Sequence, residues 1–222
     1  MTAAEDKRRI RGIIFDMDNT LVQSRIDFAA MKRDVYAYLL HHGYAERGLN
    51  LQQWTTSMLV EQAKREGMNE AQYDEAMLIA RRHEIVGMQG AELEPGAVQL
   101  LDELADSYVL TIVTNNAEEA ALEALKRNGI ADRFIEIIGR ESMREMKPSP
   151  SGFQEIVRRT GMAADNWLSV GDSWIDGKGS IDAGIPFIGY QVNEHDLQQR
   201  GVQPLMVIDQ LSALHDVLSL MD

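Results

Sequence analysis

Six short runs of apolar residues recur along the chain, each bounded by charged, polar or turn-forming residues. The runs are RGIIFD, YVLTIVT, FIEIIG, NWLSVGD, PFIGY and PLMVI. Most are apolar almost throughout instead of alternating with polar residues, which is typical of strands that are buried on both faces of a parallel sheet. We therefore predict six buried parallel strands.

Helical patterns separate most of these strands from about residue 94 onward. They are PGAVQLLDELADS, AEEAALEALKRNG and PSPSGFQEIVRRTG, and the last two end at Gly129 and Gly161. This βαβαβ alternation predicts an α/β fold with a doubly wound parallel sheet, a Rossmann-like core in which sites gather at the carboxyl ends of the strands. Gly177 and Gly179 lower helix stability after the fourth strand, so we expect that helix to begin late or to carry strain.

About seventy residues separate the first strand from the second, and none of them reads as a good strand. Three helical patterns fill this segment, each ending at a glycine: DFAAMKRDVYAYLLHHG, NLQQWTTSMLVEQAKREG and NEAQYDEAMLIARRHEIVG. We predict that residues 22–92 form an all-helical insert and that residues 1–21 and 93–222 form the sheet-containing core.

Composition narrows the class of protein. The chain has 222 residues, of which 45% are apolar and 26% charged, and it contains no cysteine. The absence of cysteine excludes disulfides, thiolate metal ligands and a cysteine nucleophile, and it fits a reducing compartment. The charged first residues, MTAAEDKRRIRG, precede no long apolar segment, so we see neither a signal peptide nor a membrane span and predict a cytoplasmic protein.

The charge balance restricts the partners. A net charge of −13 makes nucleic acid an unsuitable partner, because phosphate backbones are held by surplus lysine and arginine. We expect a monomer or homodimer that binds a small molecule and no membrane.

Acidic residues follow two of the predicted strands. Asp16 and Asp18 come directly after the first strand, and Asp172 and Asp176 follow the fourth. Each acid alone is equally well explained as a turn residue or a helix cap. In a doubly wound sheet, however, all four are expected at the same carboxyl edge.

Three further residues are expected at that edge. Thr114 and Asn115 end the second strand, and Lys147 precedes a helix that starts with prolines. A turn or cap explains the first two, and a surface charge explains the lysine, when each is taken alone. Together they are suited to bind and neutralise phosphoryl oxygens.

The acids also predict a cation. Three neighbouring carboxylates, Asp16, Asp18 and Asp172, repel one another, so either their pKa values rise or a cation is bound. Oxygen ligands without histidine or cysteine favour Mg²⁺, which leaves room for a substrate phosphate. One carboxylate then remains available as a nucleophile for phosphoryl transfer.

The motifs DMDNT, TN, KP and GDSWID, in this order and each near a predicted strand, resemble those of the haloacid dehalogenase-like superfamily of phosphatases and phosphotransferases. The resemblance covers nearly the whole chain, and the motifs are specific when taken jointly. The insert looks like the first type of cap domain in that superfamily. LEPGAVQLLDEL is similar to the segment that leads into its second strand.

The resemblance implies a role for each matching residue. Asp16 is then the nucleophile that becomes an aspartyl phosphate, and Asp18 is the general acid that later activates water. Asp172 binds Mg²⁺ together with Asp16 and the backbone carbonyl of Asp18, while Asp176 acts through water or supports the ligands. The residues implied in phosphate binding are Thr114, Asn115 and Lys147, and Lys147 also restrains Asp16.

Alternatives remain within and outside this superfamily. Asn19 stands where many capped relatives have glycine, and Asp18 disfavours the dehalogenase and phosphonatase branches, which lack an acid there. A phosphosugar mutase would keep every core residue. A receiver-like signalling module or a catalytically silent binding protein belongs to other classes, but the insert and the full set of site residues disfavour them.

The substrate is less well determined. The resemblance to capped relatives favours a small phosphomonoester such as phosphoglycolate or a sugar phosphate. The charged residues of the insert offer candidates for recognising it, but their positions on or after a helix favour solvated charges, and none is assigned to the site. These candidates are Arg25, Lys32, Arg33, His41 and His42.

Overall fold

A computed structural model of the protein describes residues 10–221, and predictions that involve residues 1–9 and 222 lie outside the described part. The chain forms eight strands over these residues. They are β1 Gly12–Phe15, β2 Val22–Gln23, β3 Glu92–Leu93, β4 Val109–Val113, β5 Glu136–Ile138, β6 Trp167–Gly171, β7 Phe187–Tyr190 and β8 Met206–Ile208. All six predicted strands are present, and they form one parallel sheet in the order β5-β4-β1-β6-β7-β8.

Strand β1 lies in the middle of this sheet. Its Ile13 pairs with Leu110 of β4 on one side and with Leu168 of β6 on the other. From β1 the chain adds β4 and β5 on one side, and then β6, β7 and β8 on the other. The carboxyl end of β1 is therefore a topological switch point, where crevices form in open α/β sheets.

Both faces of the sheet are buried. Ile13 and Phe15 belong to one apolar cluster, whereas Ile14 belongs to a second cluster with Phe153 and Trp167. Successive residues of a strand point to opposite faces, so a strand covered on both sides is apolar throughout. This explains why the continuous apolar pattern identified these strands.

Nine α-helices cover the sheet or form the insert in the described part of the chain. They are α1 Phe28–His41, α2 Thr56–Arg65, α3 Glu70–Gly87, α4 Ala97–Ala105, α5 Glu118–Arg127, α6 Ser151–Thr160, α7 Trp174–Asp182, α8 Glu194–Gln199 and α9 Leu214–Met221. The α/β fold with a doubly wound parallel sheet and a helical insert is confirmed.

The insert differs from the prediction in two details. The second helical pattern is divided into a short 3₁₀ turn at Leu51–Gln53 and helix α2, because Thr55 caps α2 by accepting a hydrogen bond from Met58 N at 3.1 Å. Strands β2 and β3 pair in antiparallel fashion where the chain leaves and rejoins the core. Strands of two residues are too short to show a periodic pattern.

Helix α7 begins at Trp174, so the expected late start is wrong. Ser173 caps the helix, and its backbone N–H donates to Asp176 Oδ2 at 3.1 Å. Gly177 is needed for close packing, because a Cβ there would lie 2.5 Å from Val202 Cγ1 and 2.8 Å from a ring carbon of Phe187. The glycine that weakens the helix locally thus allows it to pack against the sheet.

No helix within residues 10–221 combines the length and the apolar character needed to cross a membrane.

Candidate active site

Lys147 joins the two groups of acids at the carboxyl edge of the sheet. Its buried Nζ donates to Asp16 Oδ1 at 2.6 Å, to Asp176 Oδ1 at 2.6 Å and to the carbonyl of Val113 at 2.7 Å. Burial acts to lower the pKa of Lys147, but the charges of Asp16 and Asp176 outweigh it and hold the pKa above its ordinary value. The ammonium is therefore charged, and its three N–H groups all have protein acceptors.

The backbone of Lys147 is fixed from two sides. Lys147 N donates to Asn115 Oδ1 at 2.8 Å, and Asn115 Nδ2 donates to the Lys147 carbonyl at 3.0 Å. Ser57 of the insert donates to the same carbonyl at 2.8 Å. Both polar groups of the Asn115 side chain are thus occupied in positioning Lys147. The predicted contact of Asn115 with phosphate stays a prediction.

Asp16, Asp172 and Asp176 form a cluster in which one carboxylate oxygen of each lies within 4.8 Å of the others. Burial, followed by the charges of Asp16 and Asp176, raises the pKa of Asp172 to about 9. Burial raises the pKa of Asp176 to about 6, against the opposing charge of Lys147. A divalent cation would remove this repulsion, so the donor set fits the predicted Mg²⁺. The side chain of Asp18 is outside this cluster, whereas Asp176 is part of it.

Asp18 lies beside the cluster and is held separately. Its Oδ2 accepts a hydrogen bond from Asn116 Nδ2 at 2.6 Å. Neither Asp18 Oδ1 nor the buried Ser24 Oγ makes a hydrogen bond of ordinary geometry with a described residue. Burial and then the charge of Asp16 raise the pKa of Asp18 to about 7, although the Ser24 hydroxyl and the charge of Lys147 oppose the rise. This carboxyl group can therefore hold or release a proton near neutral pH.

Two further residues shape the loop ends. Asn19 has a φ of 55°, a left-handed conformation that asparagine adopts more readily than most residues. Thr114 is buried at the end of β4, and its Oγ1 accepts a hydrogen bond from Asn116 N at 3.2 Å. Thr114 lines the same cavity as Asp16, so it lies where the sequence places it.

A cavity of about 300 Å³ opens above these residues, between the sheet and the insert. The sequence-predicted site residues all line it: Asp16, Asp18, Thr114, Asn115, Lys147, Asp172 and Asp176. The insert contributes an apolar wall that includes Phe28, Met31 and Trp54. The structure thus brings together all the residues that the motifs identify and places part of the insert beside them.

A buried ion pair connects the insert to the core at this cavity. Arg140 Nη2 donates to Glu84 Oε2 at 2.9 Å, and a second bond joins Nη1 to Oε1, so the contact is bidentate. Arg140 Nη1 also donates to the Asn115 carbonyl at 3.1 Å. Glu84 belongs to α3, whereas Arg140 follows β5.

Of the charged insert residues considered from the sequence, Lys32 lines the cavity, and Arg25, Arg33, His41 and His42 do not. Lys32 is half-buried on α1, and its Nζ donates to the carbonyl of Trp54 at 2.8 Å. Lys32 is therefore not simply a solvated helix charge, the interpretation that its position in the sequence favoured.

Sequence reasoning missed several residues of the site. Asn116 holds Asp18, Ser57 holds the Lys147 segment, and Glu84 and Arg140 form the buried ion pair. The second asparagine of TNN was the only local signal for Asn116. Because the other two contacts join residues 90 and 56 positions apart, no local pattern could reveal them.

The fold and the site define an α/β protein with an acidic cluster at the switch point of its parallel sheet. The family model for haloacid dehalogenase-like hydrolases matches residues 13–190. The chain belongs to this family, and the predicted haloacid dehalogenase-like phosphatase is confirmed at this level.

Individual proteins show the same relationship. A phosphoglycolate phosphatase from Yersinia pseudotuberculosis is 31% identical over 194 residues, which cover 82% of this chain and 81% of that protein. One from Vibrio vulnificus is 27% identical over 225 residues and covers 96% and 97%. A Bacillus subtilis protein described as a HAD-hydrolase bound to magnesium has a TM-score of 0.61 at 23% identity, covering 95% of this chain and 99% of that chain.

Proposed function

We propose that the protein is a Mg²⁺-dependent phosphatase that hydrolyses a small phosphomonoester through an aspartyl phosphate on Asp16. The observation that carries this proposal is the contact of one buried ammonium, Lys147 Nζ, with both Asp16 and Asp176 at 2.6 Å. It fixes the carboxylate that is to attack, at the edge where Asp172 completes an acidic cluster. Positioning and charge neutralisation are what phosphoryl transfer chiefly requires.

In the first step, a carboxylate oxygen of Asp16 attacks phosphorus and the bond from phosphorus to the ester oxygen breaks. Asp18 donates its proton to the leaving oxygen. A pKa of about 7 and a separate anchor on Asn116 suit Asp18 to this role, because the group is protonated in a large fraction of molecules at neutral pH.

In the second step, Asp18, now ionised, takes a proton from a water molecule that attacks the phosphorus of the aspartyl phosphate. The bond from phosphorus to Asp16 breaks, which releases inorganic phosphate and restores both acids. Glu84, paired with Arg140, lines the same cavity but is held by two hydrogen bonds from the guanidinium, so we assign proton transfer to Asp18.

Asp16, Asp172 and the backbone carbonyl of Asp18 would hold Mg²⁺, with Asp176 next to them. When bound, the ion would neutralise phosphoryl charge and relieve the repulsion among the carboxylates. Support comes from the clustering of carboxylate oxygens within 4.8 Å and from the magnesium described for the Bacillus subtilis relative.

We further propose that residues 1–21 and 93–222 form the catalytic core and that residues 22–92 form a cap that selects the substrate. The four aspartates, Thr114 and Lys147 all belong to the core, whereas the insert supplies the apolar wall together with Lys32, Ser57 and Glu84. The cavity of about 300 Å³ favours a small substrate. Phosphoglycolate is the leading candidate, because the two relatives described above are phosphoglycolate phosphatases. A sugar phosphate is the alternative.

The experiment that tests this function is hydrolysis of an aryl phosphate with Mg²⁺ and after exhaustive chelation. We expect turnover that is lost on chelation and restored by Mg²⁺. Full activity without metal would contradict the mechanism. A phosphosugar mutase would instead convert a sugar phosphate to its isomer faster than it releases phosphate, so comparing isomer formation with phosphate release separates the two enzymes.

A further inference from the structure

The charges that line the cavity are not equally compensated. Among residues 10–221, three cations line it, namely Lys32, Arg140 and Lys147. Lys147 is paired with Asp16 and Asp176, and Arg140 with Glu84. Lys32 forms no ion pair with any residue in the described part of the chain, and its Nζ donates to the uncharged carbonyl of Trp54. One cation of the cavity wall therefore lacks a counter-charge.

Lys32 also differs from the other two cations in its position. It belongs to α1 of the insert, where Phe28 and Met31 on the same helix and Trp54 form apolar wall around the cavity. Burial lowers the pKa of Lys32 from its ordinary value. An ammonium beside apolar wall interacts more strongly with an anion than it would in water, because the local dielectric constant is lower.

The proposed chemistry fixes which part of a substrate reaches this wall. The phosphoryl group is held at the strand ends by Asp16, Thr114 and the predicted cation site. The substituent on its ester oxygen must then occupy the remaining space, which the insert encloses. If that substituent carries a second anionic group, Lys32 is available to bind it, because Lys32 is the described cation of the cavity wall that has no carboxylate partner.

We propose that Lys32 is a specificity-determining residue that favours phosphate esters whose leaving group carries its own negative charge. This inference rests on the proposed function and narrows its substrate class. The anion is either a carboxylate, as in phosphoglycolate, or a second phosphate. The size of the cavity favours the carboxylate.

The test compares a charged and an uncharged ester of similar size, 2-phosphoglycolate and 2-hydroxyethyl phosphate, in the presence of Mg²⁺. The measured quantity is the ratio of their kcat/KM values. We expect Lys32→Met to lower this ratio about tenfold to a hundredfold, the size expected for losing one hydrogen-bonded charge contact, chiefly through a higher KM for the charged ester. A sugar bisphosphate and the corresponding monophosphate form a second pair, which shows whether a phosphate serves as the anion.

Three variants separate charge from structure. Lys32→Gln keeps an N–H donor for the Trp54 carbonyl but removes the charge, so it should lose selectivity as Lys32→Met does. Lys32→Arg should keep most of it. Arg33→Met removes the neighbouring exposed charge, which does not line the cavity, and should keep the wild-type ratio. An unchanged ratio in Lys32→Met for both pairs, or wild-type selectivity in Lys32→Gln, would overturn the inference.

A binding measurement keeps this inference distinct from the proposed function. Phosphonoacetate and ethylphosphonate are not hydrolysed, and only the first carries a carboxylate. Calorimetry should show a preference for phosphonoacetate that Lys32→Met removes, even if the protein hydrolyses no tested ester. If the wild-type protein shows this preference but hydrolyses no phosphate ester, the result counts against the proposed function alone. If the wild-type protein binds both compounds with equal affinity, the result counts against the role of Lys32.

Discussion

The side chain of Asn115 binds both backbone polar groups of Lys147: its Oδ1 accepts a hydrogen bond from the Lys147 N–H at 2.8 Å, and its Nδ2 donates one to the Lys147 carbonyl at 3.0 Å. The Lys147 ammonium in turn contacts Asp16 and Asp176. Asn115 thus sets the position of the cation that restrains the proposed nucleophile, although its own side chain is not free to bind phosphate in this conformation.

Asn115→Ala should therefore lower kcat roughly tenfold to a hundredfold, because small displacements of a positioning group are costly in phosphoryl transfer. The KM and the inhibition constant for inorganic phosphate should change little. Steady-state kinetics with phosphate as inhibitor decides between two roles. If phosphate inhibition weakens in step with the loss of kcat, Asn115 binds the phosphoryl group directly.

The acidic cluster predicts that stability depends on both pH and metal. The folded-state pKa values are raised to about 6 for Asp176, about 7 for Asp18 and about 9 for Asp172, from 3.8 for an ordinary aspartate. A raised pKa contributes stability that is complete below the unfolded value and is lost as pH rises through the folded value. The metal-free protein should therefore lose stability as pH rises from about 4 to about 9, most steeply between about pH 4 and pH 6, where all three carboxyl groups contribute.

The corresponding measurement is the melting temperature of the chelated protein across this range, with and without Mg²⁺. The melting temperature without metal should fall as pH rises, and the increase that Mg²⁺ produces should grow. Asp172→Asn should flatten the pH dependence, because it removes the carboxyl with the most strongly raised pKa. A metal-free protein that became more stable from pH 6 to pH 9 would contradict this electrostatic account.

The buried pair of Glu84 and Arg140 should matter much more for stability than a similar pair at the surface. Both side chains are almost fully buried, so Glu84→Met leaves a guanidinium without its counter-charge and should cost about 3–5 kcal/mol in the free energy of unfolding. The matched surface pair joins Arg81, which lies on α3 as Glu84 does, to Glu119 on α5. Glu119→Met removes this exposed pair and should lower the free energy of unfolding by less than about 1 kcal/mol. Urea unfolding measures both values.

The double variant Glu84→Met/Arg140→Met supplies the discriminating control. Replacing both members of a buried pair by apolar residues of similar size is often nearly neutral, so the double variant should be more stable than Glu84→Met alone. If it is less stable than either single variant, packing and not the unpaired charge accounts for the loss.

The sequence predicted the sheet well because most strands of a two-sided sheet are apolar almost throughout and are followed by polar residues. It also identified the residues that follow β1, β4 and β6, since topology alone brings strand ends together. Asn115 was predicted as a site residue because it follows β4. Its hydrogen bonds to Lys147 could not be predicted, because the two residues are 32 positions apart in the sequence.

Other features depend on contacts that no local pattern encodes. Lys32 and Arg33 are adjacent and chemically alike, and only the packing of α1 places Lys32 at the cavity. In the sequence Glu84 is indistinguishable from an exposed helical glutamate, because its ion pair forms only when α3 packs against the segment that follows β5. Gly177 suggested a weak helix start, although the close approach of Val202 and Phe187 explains it.

The proposed mechanism requires a covalent phosphoryl intermediate on Asp16. We expect Asp16→Asn to abolish turnover without unfolding the protein, because the amide is nearly isosteric but far less nucleophilic. Asp18→Asn should still form the intermediate from an ester with an activated leaving group, and it should hydrolyse the intermediate slowly for lack of a base.

The most direct measurement is therefore mass spectrometry of the Asp18→Asn protein, quenched in acid during turnover of an aryl phosphate with Mg²⁺. We expect one added phosphoryl group that is located on Asp16 and absent from the Asp16→Asn/Asp18→Asn protein. A phosphoryl group on another residue, or one that persists in the double variant, would contradict the proposed mechanism.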